Sequence, residues 1–215
     1  MSPMAKAMEY IRSNRDKGQS LGGSTGAQLH DTPQGRFVSK RGAHPQHIQN
    51  EYDMNRYLNA LGVTVPDAGI YDDEMLTGYE EGAEPFDADR DMSQVTRDFV
   101  PHAAIANWDM LGMHDDNVLR RPDGSLSYVD VGGAGPYRAQ GAPKGRAFGS
   151  TVGELDTLRE ENPSSLGNIT EQDIGQSYDA YGGQDAMNDA LQYLRDTQTR
   201  DIMQQRIQDI ARRVA

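Results

Sequence analysis

The stretch between Asn117 and Asp130 leaves the chain little choice but to double back. Two short runs of strand-forming residues, 118–120 and 126–131, flank Pro122, Asp123 and Gly124. Proline presets a turn φ and glycine supplies a positive one, so the two runs pair as a tight hairpin. Asn117 begins one strand and Asp130 lies near the end of the other, so the turn returns these two polar side chains to the same end. A carboxamide oxygen and a carboxylate are hard ligands of the kind Mg²⁺ takes while keeping waters and phosphate oxygens in its shell. Gly132 and Gly133 free the backbone just beyond Asp130. Residues 107–116, directly before Asn117, include Asp109, Asp115 and Asp116, carboxylates able to orient or deprotonate an attacking hydroxyl. The plainer reading of this stretch is a solvated acidic loop ahead of a hairpin. Its spacing departs from the EF-hand pattern for Ca²⁺.

A second hairpin is written earlier in the chain. Strands at 27–30 and 36–40 flank a turn at 31–35 that contains Pro33 and Gly35. Ahead of it runs a glycine-rich loop, Gly22, Gly23, Ser24, Thr25 and Gly26, of the kind whose backbone N–H groups cradle phosphate oxygens. The open end of this hairpin brings Gly26 and Ala27 close to Lys40. Strand alternation places Lys40 on the face of Val38, opposite Phe37 and Ser39. A phosphate-cradling loop and an ammonium group thus meet at one place; the alternative is an exposed edge lysine.

Residues 48–62 follow with helical spacing and stop at Gly62. Glu51 shares one helix face with Met54, Leu58 and Leu61. A carboxylate on an apolar stripe is costly unless paired, and Lys40, on the strand just before, is a candidate partner. Glu51 also lies near the helix start, where the macrodipole alone favours an acid.

The chain has 215 residues and a net charge of -12, so it repels phosphate backbones and nucleic-acid binding is not expected. An ATP site in such a chain needs local positive potential from a lysine, backbone N–H groups and a divalent metal. Lysines are scarce, only Lys6, Lys17, Lys40 and Lys144, which singles out the one flanked by strand sequence. There is no cysteine, so disulfides and thiol chemistry are excluded. No run of 18 apolar residues is present and no membrane contact is expected. With 36% hydrophobic residues and frequent glycine, the expected class is a loop-rich α+β domain.

The remaining expectations are coarser. Residues 3–15 read as a helix, and 69–71 and 75–79 as strands. Residues 80–93 read as an acidic, polar hinge. A helix at 94–108 puts Val95, Phe99, Ala103 and Ala106 along one face. Residues 132–150 read as a long loop, and helices are expected near 151–160, 171–181, 184–196 and 200–213. The five histidines show no zinc spacing, and no nucleophile elbow is visible.

The order of glycine loop, strand lysine, helix glutamate, hinge, Asp- and Asn-bearing loop, hairpin and Asp-x-Gly resembles the protein-kinase fold. The motifs Asn107-Trp108-Asp109, His114, Asn117 and Tyr128-Val129-Asp130 are similar to the atypical branch: HipA-type kinases, actin-fragmin kinase and phosphatidylinositol 3-kinase relatives. The short chain also resembles the minimal kinases among bacterial effectors that phosphorylate host proteins. The resemblance spans about residues 20–150. It implies a two-lobed architecture, with an N-lobe at 1–82 and a helical C-lobe at 83–215, and ATP and Mg²⁺ as cofactors. It implies that Lys40 contacts the α- and β-phosphates and that Glu51 holds it. Tyr79, Glu80 and Gly82 would form the hinge that receives adenine, Asp109 would be the catalytic base, and Asn117 and Asp130 would bind metal. Residues 132–150 would stand as the activation segment, with Arg138 and Lys144 contacting phosphate or substrate. The substrate would be a protein hydroxyl, Ser or Thr before Tyr, and the protein a soluble monomer, cytoplasmic or delivered into a host cell without a cleaved signal. In the relatives the catalytic Asp precedes the metal Asn by five positions; here that slot is Gly112 and Asp109 stands eight before. Either the loop carries an insertion, or Asp115 or Asp116 takes the role, or catalysis is impaired. AMP transfer on the same fold, a pseudokinase and a structural interaction module remain as alternatives.

Overall fold

The structure is a computed structural model that describes residues 1–22 and 26–215. The first hairpin is tighter than its sequence suggests. Strands β2 (Gln28–Thr32) and β3 (Gly35–Lys40) pair antiparallel down to Thr32 opposite Gly35, leaving only Pro33 and Gln34 as the turn. The Thr32 hydroxyl donates to the Gly35 carbonyl at 2.8 Å and accepts from the Gln34 N–H at 3.1 Å, which replaces the wider loop expected at 31–35. Upstream, β1 (Gln19–Ser20) pairs antiparallel with β2.

β3 pairs on its other edge with β5 (Glu74–Gly78), which pairs in turn with β4 (Ala68–Tyr71). The antiparallel sheet has the order β1-β2-β3-β5-β4. Helix α1 (Pro3–Ser13) buries Ala7, Met8 and Ile11 against Phe37 and Leu76 on one face of it. Helix α2 (Pro45–Leu61) connects β3 to β4. It starts earlier than expected because His44 accepts from the His47 N–H and Pro45 takes the first turn, where no N–H partner is required. Gly62, at φ 89°, ends it in the left-handed conformation.

The acidic stretch 80–93 is not a bare connection. It contains β6 (Glu84–Pro85) and the first turn of α3 (Ala88–Ala104). Asp87 caps this helix by accepting from the Asp89 N–H, and Asp89 and Asp91 sit in its first turn, where negative charge is favoured. The same acidity that read as a solvated linker is thus a helix start. The helix ends at Ala104, so residues 105–108 leave it and begin the loop that carries Asp109.

β7 (Val118–Arg120) and β8 (Leu126–Tyr128) form the second hairpin, and with β6 they give a three-stranded sheet in the order β6-β7-β8. The helical part comprises α4 (Glu154–Glu161), α5 (Glu171–Ala180), α6 (Gly183–Ala190) and α7 (Thr197–Val214). Its core runs from Phe99 and Val100 of α3 to Leu155, Ile174, Met203, Ile207 and Ile210. Arg206 lies inside that core at 0% exposure. Its guanidinium donates to the carbonyls of Ala103, Ala104, Gly149 and Thr151 and to the Glu154 carboxylate, so it joins α3, α4 and α7 at one point. No helix among the described residues is long and apolar enough to cross a membrane.

Candidate active site

The two hairpins face each other across a cleft of about 530 Å³. Leu21, Ala27, Val38, Pro66, Leu119 and Val129 give it apolar walls, and Thr77 to Glu80 form one edge. Lys40, Asp109, Asp116, Asn117 and Asp130 also line it, as a polar end. Such a cavity takes a flat apolar group against its walls and an anionic one toward its lysine.

Lys40 is the last residue of β3, and its side chain stands on the Val38 face, in the cleft. It is 8% exposed and its ammonium lies 2.7 Å from Glu51 Oε1 and 3.0 Å from Asp130 Oδ2. Burial alone would lower the Lys40 ammonium, but the charges of Glu51 and Asp130 raise it further, so it stays protonated. Glu51 is 2% exposed, and burial pushes its carboxyl up to about 7 against the pull of Lys40. Its Oε2 has no hydrogen-bond partner among the described residues. Burial would also raise Asp130, but Lys40 and the Gly132 N–H, 2.9 Å from Oδ1, hold it below the usual range. One ammonium thus serves two carboxylates, and the deeper of them is the weaker acid.

Asn117 lies at the head of β7. Its side-chain N–H donates to the main-chain carbonyl of Asp109 at 2.7 Å. Its own N–H donates to the Leu111 carbonyl at 3.0 Å, which closes residues 112–116 into an excursion. Gly112 at φ +85° and Asp115 at φ +57° supply the left-handed conformations that excursion needs, and Met113 at its tip is 88% exposed. Asp109 and Asn117 are therefore neighbours despite their sequence separation. Asp115 is exposed outside the cleft, whereas Asp116 and His114 line its mouth. Burial raises the Asp109 carboxyl, and the nearby charge of Asp130 adds to the rise while Asn117 opposes it.

Tyr79 and Glu80 line the cleft edge. The Glu80 carboxylate is engaged by Arg121 at 2.6 Å and by the Ser127 hydroxyl at 2.8 Å, so its side chain is already paired. Gly82, expected at the hinge, is exposed at φ +68° beside Pro122, outside the cleft. Gly22 borders the cleft, and the Leu21 N–H donates to the Ala27 carbonyl at 3.0 Å. Gly26 is exposed at φ +67° and does not line the cleft. Gly23, Ser24 and Thr25 lie outside the described residues.

Lys144, expected to contact phosphate or substrate, does not line the cleft. It is buried beneath Trp108, and burial lowers its ammonium to about 7. Arg138 is exposed, with its guanidinium 5.1 Å from the Trp108 ring centre. Sequence reasoning missed this arrangement because residues 132–150 carry no periodicity to place a side chain by.

A magnesium ion fits the donor set. The Asn117 side-chain N–H is spent on Asp109, no hydrogen bond to its carboxamide oxygen occurs among the described residues, and Asn117 and Asp130 line the same cleft. No group of three His, Asp or Glu residues able to hold a metal occurs among the described residues. An ion here would complete its shell with phosphate oxygens and water, as Mg²⁺ does at nucleotides.

No protein-family model matches the chain, and no curated protein is significantly similar to it. Solved structures do match. A proinflammatory kinase of Helicobacter pylori, CtkA, superposes with a TM-score of 0.53 over 91% of this chain and 94% of that one, at 11% identity. The chain has a protein-kinase-like fold. The choline kinase LicA of Streptococcus pneumoniae also matches, at 12% identity over 99% of this chain and 91% of that one, with a TM-score of 0.40.

Proposed function

We propose that the chain is a phosphotransferase that moves the γ-phosphoryl group of Mg-ATP to a protein hydroxyl, Ser or Thr before Tyr. One observation carries the reading: the Lys40, Glu51 and Asp130 triad, assembled from a strand, a helix and a hairpin end, stands at a cleft bordered by Leu21, Gly22 and Ala27. The kinase-like fold shared with CtkA supports it.

In this reading adenine lies against Val38 and Leu119 and meets the backbone of Tyr79 and Glu80. The Lys40 ammonium pairs with the α- and β-phosphates, and Glu51 fixes its direction. Asp130 and Asn117 would hold the metal, which would supply positive charge opposite the triphosphate. Asp109 receives the acceptor hydroxyl. The hydroxyl oxygen bonds to the γ-phosphorus, the bond from that phosphorus to the ADP oxygen breaks, and the hydroxyl proton passes to the Asp109 carboxylate. The protein forms no covalent intermediate; it positions the groups and neutralises charge.

Incubation of candidate protein lysates with γ-labelled and, separately, α-labelled ATP and Mg²⁺ tests this. Label reaching protein from the γ position alone is the expected result. Label from the α position would assign AMP transfer on the same cleft, and label from neither would leave a non-catalytic module.

A further inference from the structure

The segment after Asp130 is glycine- and proline-rich and has no helix or strand of its own over residues 132–144. It is held in place at Lys144. This side chain is 5% exposed and donates to the carbonyls of Ala106 at 2.5 Å and Gly133 at 2.7 Å. Its ammonium stands 4.5 Å from the centre of the Trp108 ring. The first carbonyl lies just ahead of Asn107-Trp108-Asp109, and the second just beyond Asp130. The Lys144 N–H also donates to the Pro136 carbonyl at 2.8 Å. One residue therefore ties the loop bearing Asp109, the turn beyond Asp130 and the segment that follows.

Two further observations give the clamp its meaning. Ala106 has φ +50°, an uncommon conformation for a residue with a side chain, which persists where its surroundings over-determine it. Lys144 is one of those determinants. Residues 132–149 contain neither Ser nor Thr, and Ser150, which ends the segment, is exposed. The single side-chain hydroxyl within 132–149 is on Tyr137, whose ring stands edge-on to His44 at 5.2 Å between ring centres and lies near His47 at 5.7 Å. A phosphorylated hydroxyl paired with arginines is one way to order such a segment. Here a buried lysine already makes the order.

We propose that Lys144 is a positioning residue that locks the Asp109 loop to the Asp130 turn, so that the site is assembled without covalent modification of residues 132–149. The proposal rests on the phosphotransferase reading for its catalytic consequence. Its structural part can be read separately, because Trp108 is the chain's only tryptophan.

The test uses the full chain, with Lys144→Met, Lys144→Arg and phosphatase-treated wild type. In Lys144→Met the clamp is lost: acrylamide quenches Trp108 emission more strongly, and kcat falls on the order of 100-fold at little-changed KM for ATP. Lys144→Arg, which keeps charge and donors, recovers part of both, and phosphatase treatment leaves wild-type turnover intact. Unchanged quenching in Lys144→Met, kcat within about twofold of wild type, or turnover that phosphatase abolishes would each overturn the proposal. If wild type shows neither turnover nor Mg-ATP binding, the functional reading fails and the quenching result still decides the clamp. If Lys144→Met does not fold, Lys144→Arg carries the test, and failure of both to fold makes Lys144 a folding residue and the proposal wrong.

Discussion

Asn117 donates its side-chain amide to the main-chain carbonyl of Asp109 at 2.7 Å, across eight positions of sequence. That bond brings Asp109 beside Asn117 although residues 112–116 intervene as an excursion whose His114 and Asp116 line the cleft mouth. It also ranks the carboxylates. Asp109 stands inside the cleft next to Asn117 and Asp130, Asp116 at its mouth, and Asp115 outside. Asp109→Asn is therefore expected to lower kcat by about 100- to 10,000-fold, the range of a lost general base. Nucleotide affinity should change little, and Asp115→Asn should leave turnover near wild type. Steady-state kinetics with separate binding titrations check this.

The charge arrangement at Lys40 predicts an asymmetry between its two partners. Glu51→Ala leaves a buried ammonium with one carboxylate, and removal of one partner from a buried pair costs roughly 3 kcal/mol. Asp130→Ala removes the more exposed partner and should cost less stability while abolishing metal-dependent nucleotide binding. Denaturant melts of both variants, with and without Mg-ATP, measure the two effects separately.

Asp109 also sets a pH expectation. A base works deprotonated, and burial and Asp130 hold this carboxyl above the usual aspartate range. The acid limb of kcat/KM should therefore lie higher than for an ordinary aspartate, with activity rising as pH increases through it. The limb should vanish from the residual activity of Asp109→Asn.

His102 gives a stability prediction of definite sign. It is fully buried, and burial lowers its pKa to about 3. Between there and the unfolded value of 6.5, the unfolded chain binds a proton that the folded chain does not. The contribution of His102 is thus fully present above pH 6.5 and is lost on acidification, at about 1.4 kcal/mol per pH unit. Glu51 acts in the opposite sense over part of that window, because its raised carboxyl favours the folded state at low pH. The difference between wild type and His102→Gln isolates the histidine: the variant's stability should fall less steeply from pH 6.5 to 4.5, as measured by urea unfolding.

The hairpins were legible because turn chemistry is local: Pro33, Gly35, Pro122 and Gly124 mark reversals whatever surrounds them. The Lys40 to Glu51 contact was legible because a carboxylate on an apolar helix stripe needs a cation and the nearest strand offers one. The start of α3 was misread, since acidic residues look alike in a linker and in a first helical turn; only the Asp87 cap distinguishes them. Arg206 could not be placed, because its partners are carbonyls far away in sequence and it sits within the stripe of Ile202, Ile207 and Ile210. The same holds for Asp98, which receives the hydroxyls of Tyr128 and Tyr181 in the core. The resemblance implies that Lys144 contacts phosphate or substrate, but its side chain is buried and donates to the Ala106 and Gly133 carbonyls, contacts that no local sequence signal marks.

The central claim is that the cleft between the hairpins is a Mg-ATP site closed by Lys40 and Asp130. Calorimetric titration of ATP into wild type, with and without Mg²⁺, and into Lys40→Met and Asp130→Ala, tests it most directly. The account predicts Mg²⁺-dependent binding to wild type that weakens by at least about tenfold in Lys40→Met and loses its Mg²⁺ dependence in Asp130→Ala. Wild type that binds no ATP, or binding that both variants retain unchanged, would contradict it.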